Sequence, residues 1–324
     1  GDCSVLKLPD DRLILIDVGS RGSPVVDWLV DRHPSPQIAA IVLTHNDADH
    51  VGALPSILDN HSGRVEKILM LQDRRRTDSK YKKLLRRVIK AEEHEGTDVE
   101  CLLAGMTIWQ DEEKGLVLRV IFPRFTDNQR ASNPNNTSGL IVLESNGDLL
   151  CVWPGDLTCT KVAEKLNGSS PELMIGPHHG APQDLGRKKK RLIRRDEFRA
   201  AVSAISAERL FISVGTNNQH SHPRPGYLYL SALNGCRVVC SEISNACDRE
   251  HLKSEHPVFD GSGALGLRAC RTGVPCRGSW RARVIDGELI PDEFSSFHLE
   301  EVAGLKRPQC LKGAGWKPGQ SLPW

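Results

Sequence analysis

A short segment that follows an apolar run concentrates residues able to bind a metal ion. The segment LTHNDADHVGAL (residues 43–54) comes directly after IAAIVL, a run with the length and composition of a buried strand. Imidazole nitrogens and carboxylate oxygens together make a donor set suited to Zn²⁺ or Mn²⁺. A polar loop of chance composition is the alternative, but so dense a set after a buried strand favours a metal site. The candidate ligands are His45, Asp47, Asp49 and His50.

The elements that must position these ligands follow from the hydrophobic periodicity. The segment Asn146-Gly147 lies between two apolar runs and predicts a hairpin. Two halves of mixed strands and helices predict an α/β fold with four layers, αββα, in which helices cover two packed sheets. The predicted strands are 4–8, 12–17, 38–43, 66–71, 116–122, 139–145, 148–153, 172–176, 210–215 and 237–242. The predicted helices are 23–32, 51–59, 79–92, 158–166, 196–206 and 225–233.

Regular alternation ends near residue 241, where glycine, cysteine, arginine and proline become frequent. We therefore predict one main domain over residues 1–240 and a Cys-rich appendage over residues 241–324. Four cysteines of this region could hold a structural Zn²⁺, with His251 or His256 replacing one of them. Their spacings are wider than those of most zinc sites, so small buried thiols are the alternative. The four are Cys240, Cys247, Cys270 and Cys276.

Composition and charge restrict the class of protein. With 39% hydrophobic residues and a net charge of +2, the chain has the composition of an ordinary globular protein. It has no apolar run of about 18 residues and no visible signal peptide, so we expect no membrane span and a cytoplasmic location. Residues 74–90 carry nine basic side chains and one acid, and residues 187–195 carry seven basic side chains. Each run predicts either a solvated surface or a contact with a phosphate backbone.

The spacing of the candidate ligands carries a resemblance to a known family. THNDADHVGAL resembles the His-x-His-x-Asp-His signature of the metallo-β-lactamase superfamily, with Asp47 where most members have the second His. This variant is similar to the hydrolase domain of the ComEC-type DNA-uptake proteins and their stand-alone relatives. Further segments resemble that group's motifs in the same order, over about residues 1–240. They are LILIDVG, NPNNTSGLIVL, VWPGDL, GPHHGAP and ISVGTNNQHSHPRP.

The resemblance implies a role for each polar residue of these motifs. His45 and Asp47 would bind one metal ion, Asp49 and His50 a second, and Asp156 would bridge the two. Asp17 would orient the ligand loop, and His179 would be a further ligand. The residues with catalytic roles would be Asp49, His178 and His222.

Some of these roles stay open at the level of sequence. His178 could donate a proton or hold a ligand in place, and His222 could bind metal or contact the scissile phosphate. The superfamily's usual lone His before the bridging Asp has no counterpart, because His61 and His94 are the only histidines there and both lie in polar surroundings. Asn136 or water could complete that metal's coordination.

The predicted function is therefore a binuclear metal-dependent hydrolase, in which two divalent ions activate a water. The resemblance and the basic runs favour a phosphodiesterase or nuclease acting on DNA or another nucleotide substrate. Stand-alone relatives resemble components of bacterial phage-defence operons, which suggests a protein partner encoded nearby. The alternatives are a small-ester or lactone hydrolase and a partner-regulated, non-catalytic metal-binding module. The predicted substrate contacts are Asn136, Ser138, Lys188, Lys189 and Arg191.

Overall fold

The structure is a computed structural model, and its chain divides into two compact units. The first comprises Gly1–Ile108 and Arg119–Ile141, and the second comprises Trp109–Leu118 and Val142–Trp324. The residues that the structure describes are 2–32, 37–73, 76–130, 134–181, 191–205, 207–215, 220, 222–244, 247 and 280–291.

A five-stranded sheet with the order β1-β2-β3-β4-β5 forms the centre of the first unit. Its strands are β1 (Ser4–Lys7), β2 (Leu13–Ile16), β3 (Ile38–Leu43), β4 (Lys67–Met70) and β5 (Asp98–Cys101). β1 runs antiparallel to β2, whereas β2 to β5 are mutually parallel. The apolar side chains of β2 and β3 are almost wholly buried. Because parallel strands end at the same edge, the residues after β2 and after β3 lie next to each other.

The described residues of the first unit contain five α-helices. They are α1 (Val25–Arg32), α2 (Ala48–Val51), α3 (Leu54–Asn60), α4 (Ser79–His94) and α5 (Phe125–Arg130). The side chain of Asp78 caps α4 by accepting hydrogen bonds from two backbone amides of its first turn. The apolar face of α4 is buried at Tyr81, Leu84, Val88 and Ala91. This helical spacing leaves exposed, on the opposite side, Lys80, Lys82, Lys83, Arg86 and Lys90.

A seven-stranded sheet has the order β12-β11-β10-β9-β8-β7-β6. Its strands are β6 (Thr107–Asp111), β7 (Leu116–Phe122), β8 (Leu140–Ser145), β9 (Asp148–Trp153), β10 (Leu173–Ile175), β11 (Arg209–Ile212) and β12 (Arg237–Cys240). Strands β9, β10, β11 and β12 are parallel. The segments after β9, β10 and β11 therefore emerge at one edge, and each of them carries a polar residue considered below.

The second unit also contains helices and a separate hairpin. The helices are α6 (Cys159–Leu166), α7 (Arg191–Ala204) and α8 (Pro225–Leu233), and the hairpin is β13 (Ala282–Ile285) with β14 (Glu288–Pro291). Phe198 of α7 and Tyr227 of α8 pack with their ring centroids 6.3 Å apart. Next to the hairpin, Trp280 stacks on Phe211 at a centroid distance of 6.2 Å.

The predicted α/β class is confirmed, and all ten predicted strands are present, most of them shorter than predicted. The predicted hairpin is also present, because Asn146 and Gly147 adopt φ angles of 49° and 96°. Strands β5, β6, β13 and β14 and helices α2 and α5 were not predicted. The ligand segment was predicted as a loop followed by a helix from residue 51. In the structure α2 begins at Ala48, so Asp49 and His50 lie on a helical turn.

The appendage lies largely outside the described residues, and the domain boundary at 240/241 stays a prediction. Cys240 is buried and Cys247 partly exposed, whereas Cys270 and Cys276 fall outside the described ranges. The structural zinc site therefore also stays a prediction. Seven cysteines are described, and all have free thiols. No helix within the described ranges is long and apolar enough to cross a membrane.

Candidate metal centre

Asp17 organises the ligand loop of the first unit. It follows β2, is buried to 2% exposure and has a φ of 54°, a backbone region that Asp adopts more readily than most residues. Its Oδ1 accepts a hydrogen bond from the Thr44 amide at 2.8 Å. Its Oδ2 accepts from the Thr44 hydroxyl at 2.7 Å and from His50 Nδ1 at 2.7 Å. One buried carboxylate therefore fixes both the loop after β3 and the ring of His50.

The same contacts determine which nitrogen of each histidine can bind a metal ion. A carboxylate can only accept here, so His50 carries its proton on Nδ1 and would bind metal through Nε2. The Thr44 hydroxyl gives its proton to Asp17 and accepts from His45 Nδ1 at 3.1 Å. His45 is therefore in the same tautomer. Both rings are fully buried, with centroids 4.0 Å apart.

Two pairs of donor atoms result, each containing one imidazole nitrogen and one carboxylate oxygen. His45 Nε2 lies 3.8 Å from Asp47 Oδ2, and His50 Nε2 lies 3.9 Å from Asp49 Oδ2. A metal ion about 2.0–2.2 Å from each donor would fit such a separation. The pairing supports the assignment of His45 with Asp47 and of Asp49 with His50.

Asp47 is at the position that precedes α2, where an Asp side chain would ordinarily cap the helix. Here the side chain makes no capping hydrogen bond. Its Oδ1 instead accepts from Nη1 of Arg76 at 2.8 Å. The carboxylate is therefore directed away from the helix terminus and towards His45 and Arg76, which argues against a purely structural role.

The second unit carries its own set of donors at the edge where its parallel strands end. Asp156 follows β9 and is buried, with only 3% of the residue exposed. His178 Nε2 lies 3.4 Å from Asp156 Oδ2, and His179 Nε2 lies 3.8 Å from Asp156 Oδ1. His179 Nδ1 donates to the carbonyl of Ser213, which follows β11, at 2.9 Å. His179 thus has the tautomer of a metal ligand, which supports its assignment over His178.

The backbone around the two histidines is held in an uncommon conformation. His178 and His179 have φ angles of 43° and 52°, in the left-handed region. The His178 amide donates to the Gly155 carbonyl at 2.9 Å, so the histidine turn is tied to the turn that carries Asp156. Gly180 follows with a φ of 76°, and a Cβ there would lie 2.7 Å from Cβ of Pro223. The histidine turn therefore packs closely against the segment that carries His222.

His222 lies beside His178, with ring centroids 5.5 Å apart. Burial, together with the neighbouring histidines and Arg224, lowers the pKa of His222 to about 4. The ring is therefore neutral at pH 7, so one of its nitrogens can bind a metal ion and the other can donate a hydrogen bond to a phosphate oxygen. Both roles predicted for it, ligand or phosphate contact, stay open.

Of the predicted substrate contacts, the structure describes some and leaves others outside the described residues. Asn136 is exposed, whereas Ser138 is fully buried, and its neighbour Gly139 donates from its amide to the Thr44 carbonyl at 2.6 Å. Ser138 thus lies beside the ligand loop of the first unit. Lys188 and Lys189 lie outside the described residues, and only the backbone of Arg191, the first residue of α7, is described.

Four residues with a role in this geometry escaped the sequence analysis. Thr44 links Asp17 to His45, Ser213 orients His179, and Arg76 contacts Asp47. The fourth is Asp2, which is buried and has a carboxylate oxygen within 4.8 Å of a ring nitrogen of His50. Of these, only Thr44 had a signal in the sequence, its position directly before His45. Burial, together with the nearby Asp17 and Asp2, raises the pKa of the Cys3 thiol well above its usual value.

Comparison with known proteins agrees with this geometry. Residues 1–152 match the family model described as the metallo-beta-lactamase superfamily. The resemblance to this superfamily is confirmed. The chain is also 26% identical over 289 residues to ComE operon protein 3 of Bacillus subtilis (strain 168), covering 81% of this chain. It spans 34% of the length of that protein, about a third.

Solved metallo-hydrolases are more distant. Igni18, a metallo hydrolase from the archaeon Ignicoccus hospitalis, has a TM-score of 0.40 and 13% identity, covering 73% of this chain and 91% of its own. The short form of human tRNase Z has a TM-score of 0.37 and 14% identity, covering 65% of this chain and 83% of its own. The candidate His and Asp clusters, together with the superfamily match, indicate binding of divalent metal ions.

Proposed function

We propose that the chain is a binuclear metal-dependent phosphodiesterase that acts on nucleic acid. The observation that carries the proposal is the pair of Nε2–Oδ2 donor sets, His45 with Asp47 and Asp49 with His50. In the arrangement that the superfamily resemblance implies, each set would hold one ion, Asp156 would be a ligand shared by the two ions, and His179 would be a further ligand.

The metal ions would supply an activated water and would stabilise the charge of both the attacking and the departing oxygen. The chain's own residues prepare that chemistry. Asp17 holds His45 and His50 in the tautomers that a metal ion requires. His178, whose Nε2 lies 3.4 Å from Asp156 Oδ2, would give a proton to the leaving oxygen, while His222 would donate a hydrogen bond to the scissile phosphate from its neutral ring. Asp49, whose side chain is 47% exposed, is accessible to the attacking water.

A nucleic-acid substrate is supported by the way the structure divides the basic run 74–90. Arg76 and Arg87 are engaged within the protein, Arg76 with Asp47 and Arg87 with Asp59 and Glu95. The remaining described basic residues of the run line the solvent side of α4. They are Lys80, Lys82, Lys83, Arg86 and Lys90. Because Arg76 touches Asp47 and α4 begins three residues later, this basic row starts next to the candidate ligand loop.

Substrate class is tested by a panel of single-stranded DNA, duplex DNA, RNA, cyclic nucleotides, simple phosphodiesters, carboxylic esters and lactones. Each is assayed with Mn²⁺ and with Zn²⁺, on the wild type and on His50→Ala. We expect cleavage of nucleic acid by the wild type, and salt-dependent binding without cleavage by the variant. Cleavage of esters or lactones alone would reject the proposal in favour of a small-ester hydrolase. Inertness with both ions bound would favour a partner-regulated module.

The role of the basic row is tested by the salt dependence of binding. Each phosphate contact contributes about 0.9 to the slope of log K against log salt on duplex DNA, and about 0.7 on single strands. Replacing Lys82, Lys83 and Arg86 by Gln should therefore flatten the slope by about 2–3 on either substrate. The matched control removes three basic charges that lie in short-range ion pairs elsewhere, through Lys7→Gln, Lys114→Gln and Lys161→Gln. An equal flattening of the salt slope in both triple variants would mean that only net charge matters. That result would refute the assignment of the basic row on α4 to substrate binding.

A further inference from the structure

Arg76 makes an unusual set of contacts for a residue of a basic surface run. Its Nη1 donates to Asp47 Oδ1 at 2.8 Å and also to the carbonyl of Asn46. Its Nε donates to Asp78 Oδ2 at 3.0 Å, and the guanidinium lies 5.7 Å from the ring centroid of Tyr81. The side chain is 27% exposed. Arg76 is thus held through Nη1 at the ligand loop and through Nε at the start of α4.

The two oxygens of Asp47 consequently have different surroundings. Oδ1 is engaged by Arg76, whereas Oδ2 lies 3.8 Å from His45 Nε2. Since Asp47 makes no helix-capping bond, Arg76 is the described contact that sets the rotation of this carboxylate. A carboxylate held in this way can offer a metal ion one oxygen, and its negative charge is balanced by the adjacent guanidinium.

We propose that Arg76 is a positioning residue for the metal ion that His45 and Asp47 hold. It directs Oδ2 of Asp47 towards the ion and balances the charge of a carboxylate ligand. The inference rests on the proposed function for the identity of the ligands. It assigns to Arg76 a role distinct from that of the exposed lysines on α4, to which the proposed function gives the contact with the substrate.

A purely structural role is the competing explanation, because Arg76 also contacts Asn46, Asp78 and Tyr81. Removing Arg76 could then disturb the loop or the start of α4, whatever residue occupied position 47. The two explanations differ in one respect. A positioning role depends on a carboxylate at position 47, whereas a structural role does not.

The test is a calorimetric titration of the metal-free protein with Zn²⁺ and with Mn²⁺ for Arg76→Met, Asp47→His and the double variant. Loss of an outer-shell partner lowers metal affinity by about 10–100-fold, and we expect that loss for one ion in Arg76→Met. Arg76→Lys, which keeps the charge and can still reach one acceptor, should recover most of the affinity. In the Asp47→His background position 47 is a neutral imidazole, so Arg76→Met should change affinity by less than about threefold.

Asp78→Ala is the matched control, since it removes another contact of Arg76 together with the cap of α4. We expect a lower melting temperature for this variant and metal affinity like that of the wild type. The inference is overturned if Arg76→Met leaves the metal affinity unchanged. It is also overturned if Arg76→Met lowers the metal affinity as much in the Asp47→His background as in the wild type, or if Asp78→Ala lowers it as much as Arg76→Met does. A wild type that binds metal but cleaves nothing refutes the proposed function and leaves the inference intact. A wild type that binds neither ion refutes both.

Discussion

Replacing Asp17 by Asn tests whether one buried carboxylate controls the ligand tautomers. The change removes a charge while keeping the size of the side chain. Asp17 has a φ of 54°, and Asn adopts this left-handed region at least as readily as Asp, so the backbone can stay in place. Whatever follows is therefore due to the lost charge and the changed hydrogen bonds rather than to backbone strain.

The consequence for His50 follows from the donors around the carboxylate. All three contacts of Asp17 are with donors, namely the Thr44 amide, the Thr44 hydroxyl and His50 Nδ1. An Asn whose Oδ1 still accepts from the Thr44 amide must turn its NH₂ group towards His50. Two donors would then face each other, and His50 would move its proton to Nε2, the nitrogen that binds metal.

The expected magnitude is a loss of metal affinity of about 10–100-fold, or about 1.4–2.8 kcal/mol of binding free energy. The metal-free protein should also lose stability, because a hydrogen bond to a charged group contributes about 1.5–3 kcal/mol. Calorimetric titration with Zn²⁺ measures the first effect, and urea unfolding of the metal-free protein measures the second.

Asp11→Asn provides the matched control. Asp11 has a φ of 66°, but its carboxylate is 80% exposed and forms an ion pair with Lys7. This variant should bind metal like the wild type. If Asp17→Asn is folded and binds metal within about threefold of the wild type, Asp17 does not control the ligand tautomers, and the hydrogen-bond reasoning fails.

Three further predictions follow from the same geometry. Metal analysis of the wild type should find two divalent ions at this site, and Asp156→Ala should lose at least one of them. A wild type that binds a single ion, and keeps it in Asp156→Ala, would contradict the bridging role. Activity should fall below about pH 6.5 because metal binding requires neutral imidazoles, whereas His222, with its pKa lowered to about 4, stays neutral over that range. A rate that stays flat down to pH 5 would argue against metal-activated water. Gly180→Ala should lower the free energy of unfolding by about 1–3 kcal/mol more than Gly168→Ala. Both glycines have positive φ, but a Cβ at Gly180 would lie 2.7 Å from Pro223, whereas at Gly168 it meets no described atom within 4 Å; equal losses in thermal unfolding would show that the close packing is unimportant.

The sequence alone was sufficient to predict the main strands and the polar candidate residues that follow them. Apolar runs such as 38–43 and 150–153 are buried on both faces, and burial requires the continuous hydrophobic pattern that identifies them. The turn at Asn146-Gly147 was predictable because two consecutive positive φ angles favour Asn and Gly. By contrast, β5 at the sheet edge has the polar sequence DVEC, which carries too few apolar positions to predict a strand.

The partners of the ligands were decided only by the tertiary structure. Thr44 is 27 residues from Asp17, Asp47 is 29 from Arg76, and His179 is 34 from Ser213. Local periodicity carries no information about such contacts, because they depend on which strands lie side by side in a sheet. For the same reason the basic run 74–90 appeared uniform in sequence. Folding turns Arg76 towards the ligand loop and leaves the lysines of α4 in solvent, because only one face of that helix can pack against the protein.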